Sequence, residues 1–379
     1  MKILHICSYY IGNKLYKKLF GKLSQDRNLI QYVYIPIKNY SLINKNYFEA
    51  ENVNFYYDNI LYKRDRFLYK TKIKKQLKRI LDLLKEDINA VDLVHAHTLF
   101  SDGGTAYYLK KYRGIKYIVS IRNTDINVFY KYGWHLRSFI KEVLLQAEAV
   151  IFISEAYKKK VFELFPKKII NKIEHKVYVI PNGIDDMWLK KEIVKSQQVR
   201  DDKIHLIFVG SIDKNKNLKT VLKVLKELNQ QMERKYYLHI AGEGPLRKKL
   251  ESYAIKHGIG SDLKFYGYVN EEDLVLLMDK VDIFVLPSIH ETFGISYVEA
   301  MSRGVPVIYS KNEGIYGFFE EGQVGFSVNP LSVKDIISAI KSIEKNYHYL
   351  STECINQSKN FSWDKIAKIY KQVYQRSIN

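Results

Sequence analysis

Cysteine is nearly absent: the 379 residues contain two, Cys7 and Cys354, far apart in the chain. That argues against a disulfide framework and fits a reducing compartment, so a cytoplasmic protein is expected. No apolar run approaches the ~20 residues that a membrane span needs. The start, Met1-Lys2-Ile3-Leu4-His5-Ile6-Cys7-Ser8, is too short and too interrupted for a signal peptide and reads as a first buried strand. There is no Asp-x-Asp at a strand end and no His/Cys cluster at ligand spacing, so neither metal nor cofactor is expected. Acids are scarce, 41 against 61 Lys/Arg, which leaves a net charge of +20. Such an excess points to anionic lipid, nucleic acid or an acidic substrate. Nucleic acid is set aside, because no recognised motif and no basic–aromatic RNA signature appears.

The positive charge is uneven. Lys63 to Arg79 holds nine Lys/Arg and one acid. Phe67, Ile73, Leu77, Ile80, Leu81 and Leu84 recur through this region at helical spacing. The pattern is a basic amphipathic helix, which suits either a membrane surface or an ordinary solvated helix face. Lys14, Lys17, Lys18 and Lys22 add charge near Gly12.

Short apolar runs alternate with helical stretches along the whole chain. Ile3–Ser8, Val91–Ala96, Tyr117–Ser120, Ala149–Ser154 and Val177–Ile180 read as one series of strands. Ile204–Gly210, Tyr237–Ala241, Leu263–Phe265, Asp282–Leu286 and Val305–Ser310 read as a second. Alternation of this kind implies right-handed βαβ units, so the fold class is α/β with two doubly wound parallel sheets. The expected domains are 1–188 and 204–361, with a polar linker at 189–203 and a C-terminal amphipathic helix at 362–379. Ligands of such sheets bind at the carboxyl ends of the strands, here expected in a cleft between the domains.

The chemistry concentrates in loops of the second half. Pro287 to Met301 is a strand–loop–helix unit with Glu291 in the loop and Glu299 on the helix. Loop amides and a helix N-terminus together make an anion site. A carboxylate on each side suits a ligand carrying both phosphate and hydroxyls. Glu299 could instead pair with Arg303 at i,i+4, worth ~0.3–0.5 kcal/mol. Gly210-Ser211 to Lys216 leaves one strand, Gly242-Glu243-Gly244-Pro245 leaves the next, and Gly267-Tyr268 follows a third. Taken singly, the 242–245 loop reads better as plain turn chemistry, Lys216 is a weak signal in a lysine-rich chain, and Gly267 reads equally well as a plain loop.

Taken together, they resemble the retaining nucleotide-sugar glycosyltransferases of glycosyltransferase family 4, group 1. The matching features are the seven-residue gap between Glu291 and Glu299, the Phe-Gly and Glu-Ala-Met beside them, and Gly210 to Lys216. Gly-Glu-Gly-Pro at 242–245 and Pro-Asn-Gly-Ile-Asp at 181–185 match as well. The resemblance implies a GT-B fold: two Rossmann-like domains facing each other across a cleft, with the last helix returning to the first domain. It implies that Glu299 takes the ribose hydroxyls. Glu291 would grip the transferred sugar, with Thr292, Phe293, Gly294 and Ile295 alongside. Lys216 would sit on the diphosphate. Gly12, Gly210, Ser211, Gly242, Gly244 and Tyr268 would line the donor. Family members commonly carry arginine where this chain has Ser211. They often have a His-Gly-x-Asp turn where this chain has Arg122-Asn123-Thr124-Asp125. Arg122 is therefore a catalytic candidate able to replace the missing cation. His97 and Asp125 are acceptor-side candidates, His97 equally readable as a core histidine.

Breaking an anomeric C–O bond leaves an oxocarbenium-like centre and a diphosphate, whose charge is best met by preorganised cations and amides. No compelling carboxylate nucleophile is present, so the expectation is same-face transfer in which the leaving phosphate takes the acceptor proton. The expected enzyme moves a hexose or N-acetylhexosamine from a nucleotide sugar, UDP-linked, without a metal. The expected acceptor is a saccharide or a lipid-linked saccharide, as in capsule or other surface-polysaccharide synthesis, at an anionic membrane surface. The competing reading is a sugar-nucleotide-binding protein of the same fold with weak activity. Ser211 favours it and the intact glutamate pair opposes it.

Overall fold

Seven short apolar runs of the first half become parallel strands of one sheet. They are β1 (Lys2–Ile6), β2 (Ile30–Ile37), β3 (Val53–Asn59), β4 (Leu93–Ala96), β5 (Tyr117–Ser120), β6 (Ala149–Phe152) and β7 (Val177–Val179). Their order is β3-β2-β1-β4-β5-β6-β7. The computed structural model describes residues 1–66, 68–190, 203–231 and 235–379. Two of these strands, β2 and β3, lie outside the expected series. Pro36 falls inside β2, a residue that usually marks a strand edge because it has no N–H to donate. Here it stands one position from the strand end, opposite Asp58 of β3.

Two compact units divide the chain. One comprises Met1–Ile153, Lys158–Gly183 and Trp363–Asn379; the other comprises Ser154–Tyr157 and Ile184–Ser362. Most of the expected linker, residues 191–202, lies outside the described residues. The helix Trp363–Ile378 belongs to the first unit and buries Trp363, Ile366, Tyr370, Val373 and Tyr374 there. Gly183 lies flat against Trp363; a Cβ at 183 would come within 2.5 Å of the indole. That contact explains the glycine of the 181–185 motif by packing alone.

The basic helix runs from Tyr69 to Leu84, and its apolar face is already occupied. Ile73, Leu77, Ile80 and Leu84 are buried within the protein. Exposing an aliphatic side chain of this size costs roughly 1.5–3 kcal/mol. The helix period is as expected, and its apolar face packs inside the first unit while its basic face stays outside. Phe67 lies outside the described residues. Lys70, Lys74 and Lys78 form an exposed stripe on the outer face. Among the described residues, no helix is long and apolar enough to cross a membrane.

The second unit has a six-stranded parallel sheet: β8 (Ile204–Val209), β9 (Tyr236–Ala241), β10 (Leu263–Gly267), β11 (Ile283–Leu286), β12 (Val307–Ser310) and β13 (Gly325–Val328). The order is β10-β9-β8-β11-β12-β13. β13 is additional to the expected series. Its Gly325 passes so close to β12 that a Cβ would stand 1.8 Å from the Val307 carbonyl oxygen. Behind the sheet, fully buried Arg303 grips Asp279 with both ends of its fork, at 2.7 and 2.9 Å. Arg303, the alternative partner considered for Glu299, is thus engaged by a buried carboxylate.

Candidate functional site

After β8 the chain builds β9 and β10 on one side, then returns to place β11 on the other. The loops following β8 and β11 therefore diverge, and that switch point is where ligands bind in such sheets. Lys216 comes from the first loop and Glu291 from the second. Lys216 Nζ lies 2.5 Å from Glu291 Oε2, with side-chain exposures of 22% and 13%. Glu291 Oε1 accepts the Thr292 amide at 3.2 Å. The Lys216 stem lies over Gly210, where a Cβ would touch it at 3.6 Å.

Asparagine zips the two loops together. Asn215 accepts the His290 amide at 3.0 Å and donates to the His290 carbonyl at 2.9 Å. Its own carbonyl accepts the Ile289 amide at 2.7 Å. On the far side of Glu291, the Glu313 carboxylate accepts the Glu291 amide at 2.8 Å. Ser154 donates to the Thr292 carbonyl at 2.6 Å. Sequence reasoning missed Asn215, Glu313 and Ser154. The Asp-Lys-Asn-Lys-Asn run held a faint signal for Asn215; the other two carried none.

Ser211 supplies no cation. Its hydroxyl donates to Asp213 at 2.6 Å, and Asp213 accepts the Lys216 amide at 2.9 Å. Burial alone would raise the Asp213 carboxyl. The hydrogen bonds from Ser211 and from the Lys216 and Asn215 amides outweigh it and hold the group below the usual range. Ser211 and Asp213 together shape the loop that presents Lys216.

The glycines let neighbouring loops touch. A Cβ on Gly242 would stand 1.9 Å from the Gly210 oxygen, and one on Gly244 2.5 Å from the Ile212 oxygen. Tyr268, beyond β10, is 84% exposed. Phe293 turns inward against Phe318 and Phe361, leaving its backbone to the loop. Gly294, at φ +77, opens the helix Ile295–Ser302 with no side-chain cap. The first amides of an uncapped helix favour an anion. Ile295 and Glu299 are half-buried on that helix.

The remaining candidates lie in the first unit. Gly12 is exposed, and a Cβ there would meet nothing within 4 Å. The Arg122 guanidinium lies over the Tyr16 ring, 5.7 Å from its centre, and hydrogen-bonds Tyr370. The acceptor-side candidates His97 and Asp125 are both buried in the first unit. Asp125 accepts the amides of Leu99, Phe100 and Arg122 at 3.0, 3.1 and 2.8 Å and so staples two loops. Burial nonetheless pushes its carboxyl up to about 7. His97 meets His5 at 3.0 Å. His95 beside it hydrogen-bonds Tyr374 at 2.9 Å and Ser120 at 3.0 Å. Three imidazoles this close could hold a metal ion. The rings of His95 and His97 lie 3.8 Å apart at a 33° tilt, and burial holds all three imidazoles well toward the neutral form. At the switch point of this sheet, between β1 and β4, Ser8 donates to Asp102 at 2.5 Å.

Comparison with known proteins bears on the family and the fold. The family model "Glycosyl transferases group 1" matches residues 190–361, and "Glycosyltransferase Family 4" matches residues 46–188. A similar relative is an uncharacterized glycosyltransferase of Methanocaldococcus jannaschii, 27% identical over 304 residues and 76% of each chain. The solved lipopolysaccharide outer core galactosyltransferase WaaB, in its apo form, superposes with a TM-score of 0.74 at 18% identity. The match covers 98% of this chain and 99% of that one. Anabaena HepE in complex with UDP superposes with a TM-score of 0.73 at 17% identity, again covering 98% and 99%. The fold is that of the GT-B glycosyltransferases. With matches running from residue 46 to residue 361, this chain belongs to glycosyltransferase family 4, group 1.

Proposed function

We propose that the chain transfers a hexose or N-acetylhexosamine from a UDP-sugar to a saccharide or lipid-linked acceptor, with retention of anomeric configuration. The meeting of Lys216 with Glu291 across the switch point of β8 and β11 carries this reading. It sets a cation and a carboxylate side by side where a ligand with a charged diphosphate and a hydroxylated sugar needs one of each. Lys216 and the uncapped N-terminus of Ile295–Ser302 take the diphosphate, and Glu291 takes the sugar hydroxyls. Glu299 takes the ribose. Positive charge from these groups stabilises the leaving diphosphate, so transfer proceeds without a metal. The leaving phosphate oxygen accepts the proton of the attacking hydroxyl on the same face of the sugar.

UDP is the nucleotide held by the HepE neighbour. The WaaB neighbour is a lipopolysaccharide outer core galactosyltransferase, which supports a cell-surface saccharide as product. The stripe of Lys70, Lys74 and Lys78 suits an electrostatic approach to anionic lipid, with no apolar insertion. Binding to acidic vesicles would then fade as salt screens it.

A donor-hydrolysis and transfer screen with several nucleotide sugars tests the reading. Glu291→Ala and Lys216→Ala should each lose turnover; unchanged turnover in both overturns the site. An inverted linkage in the NMR spectrum of the product overturns the same-face mechanism.

A further inference from the structure

Glu291 is held by its backbone as well as by its side chain. Its amide donates to the Glu313 carboxylate at 2.8 Å. Its carbonyl accepts the Gly314 amide at 2.8 Å. The turn after β12 thus meets both main-chain groups of this one residue. The fit is tight: Gly314 sits at φ +56, and a Cβ there would stand 2.9 Å from the Phe293 oxygen and 3.0 Å from Glu291 Cγ. On the other side Asn215 holds both main-chain groups of His290. The loop is clamped from two directions, and the Glu291 carboxylate emerges between the clamps toward Lys216.

The two clamps differ chemically. Asn215 is neutral, whereas Glu313 is a carboxylate with one-tenth of its side chain exposed. A carboxylate accepting a backbone amide makes a shorter and stronger bond than a neutral acceptor. Its other oxygen lies 3.4 Å from Nδ1 of the exposed His290. The loop between β11 and its helix has no strand partner at this point, so a side chain supplies what a ladder would.

We propose that Glu313 is a positioning residue that sets where the Glu291 carboxylate meets the donor sugar and so governs which sugar is accepted. It acts through Glu291 and leaves the nucleotide to other groups. A shift of about 1 Å in a positioning contact is enough to cost ~100-fold in rate.

Because the inference rests on the donor-site reading, the test separates the two. UDP and a panel of UDP-hexoses are titrated into wild type, Glu313→Gln and Glu313→Ala, and turnover of each sugar is measured. Glu313→Gln keeps an oxygen for the Glu291 amide and should stay within about 3-fold of wild type. Glu313→Ala should lose roughly 10- to 100-fold in kcat/KM for the preferred sugar and discriminate less between epimers, while UDP affinity changes less than about 2-fold. Equal loss of UDP and UDP-sugar binding in Glu313→Ala makes the residue merely structural and overturns the proposal. So does unchanged sugar preference. If wild type binds no UDP-sugar, the donor-site reading falls first and this inference falls with it.

Discussion

Lys216 Nζ and Glu291 Oε2 stand 2.5 Å apart, each neutralising the other before any donor arrives. In the proposed function the diphosphate takes the cation and the sugar takes the carboxylate, so donor binding would part the pair. The pair is partly exposed, and such pairs are worth roughly 0.2–1 kcal/mol. Glu291→Gln should therefore free Lys216 and tighten UDP binding by up to ~5-fold while sugar turnover falls. Calorimetry with UDP alongside steady-state turnover checks this; weaker UDP binding in Glu291→Gln contradicts it.

Lys216→Ala should act on catalysis more than on folding. Removing one preorganised group that meets developing charge costs about 10²–10³ in rate. The expected result is a fall of that size in kcat with an unfolding midpoint close to wild type. Donor turnover and urea denaturation measured on the same preparation decide it.

The pair of Arg303 and Asp279 should be costly to break from one side. Both side chains are buried, at 1% and 3% exposure. Asp279→Ala leaves a buried guanidinium without its carboxylate counter-charge and should destabilise the second unit by roughly 3–5 kcal/mol. Replacing both, with Arg303→Met added, should recover most of that loss. If the double variant is no more stable than the single one, the cost lies elsewhere.

Acid should weaken the first unit in a way its interior dictates. Burial pushes His5 down to about 3 and holds His95 and His97 well below their ordinary range. Burial also pushes Asp102 up to about 6 and Asp125 up to about 7. Unfolded histidine titrates near 6.5 and unfolded aspartate near 3.9. From about pH 6 down to pH 4, unfolding therefore takes up protons at three imidazoles and releases them from two carboxyls. The imidazoles outnumber the carboxyls, so these groups lower stability as pH falls, by about 1.4 kcal/mol per pH unit for each net proton. The two carboxyls contribute stability that is complete below their unfolded value and lost as pH rises through about 6 to 7. Asp125→Asn removes one opposing carboxyl and should steepen the acid loss. Comparing its slope with wild type cancels the surface acids; equal slopes would contradict the assignment.

Which parts were legible follows from how local each signal is. The strand–loop–helix units around Gly210, Gly242 and Glu291 are readable because the apolar run, the turn and the helix adjoin in sequence. The periodicity of the basic helix correctly marks Ile73, Leu77, Ile80 and Leu84 as one face. Periodicity says which face is apolar and nothing about what covers it, so the sequence leaves a membrane surface and a protein core equally open for Ile73, Leu77, Ile80 and Leu84. Ser8 with Asp102, and His95 with Tyr374, are pairs brought together only once strand order is set. Asp125 is legible only in part, for a related reason. It matched a motif position, yet its carboxylate faces three backbone amides from two loops.

The helix Trp363–Ile378 has a consequence for synthesis. Tyr370 and Tyr374 complete a core whose other walls come from β1, β2 and the helix Leu15–Leu23. Those walls leave the ribosome early, whereas the closing helix emerges after all of Ile184–Ser362. Domains generally mature in the order they are made. Here the order is inverted: the unit begun first is the last able to finish, and its unclosed aromatic face must wait through the translation of the other.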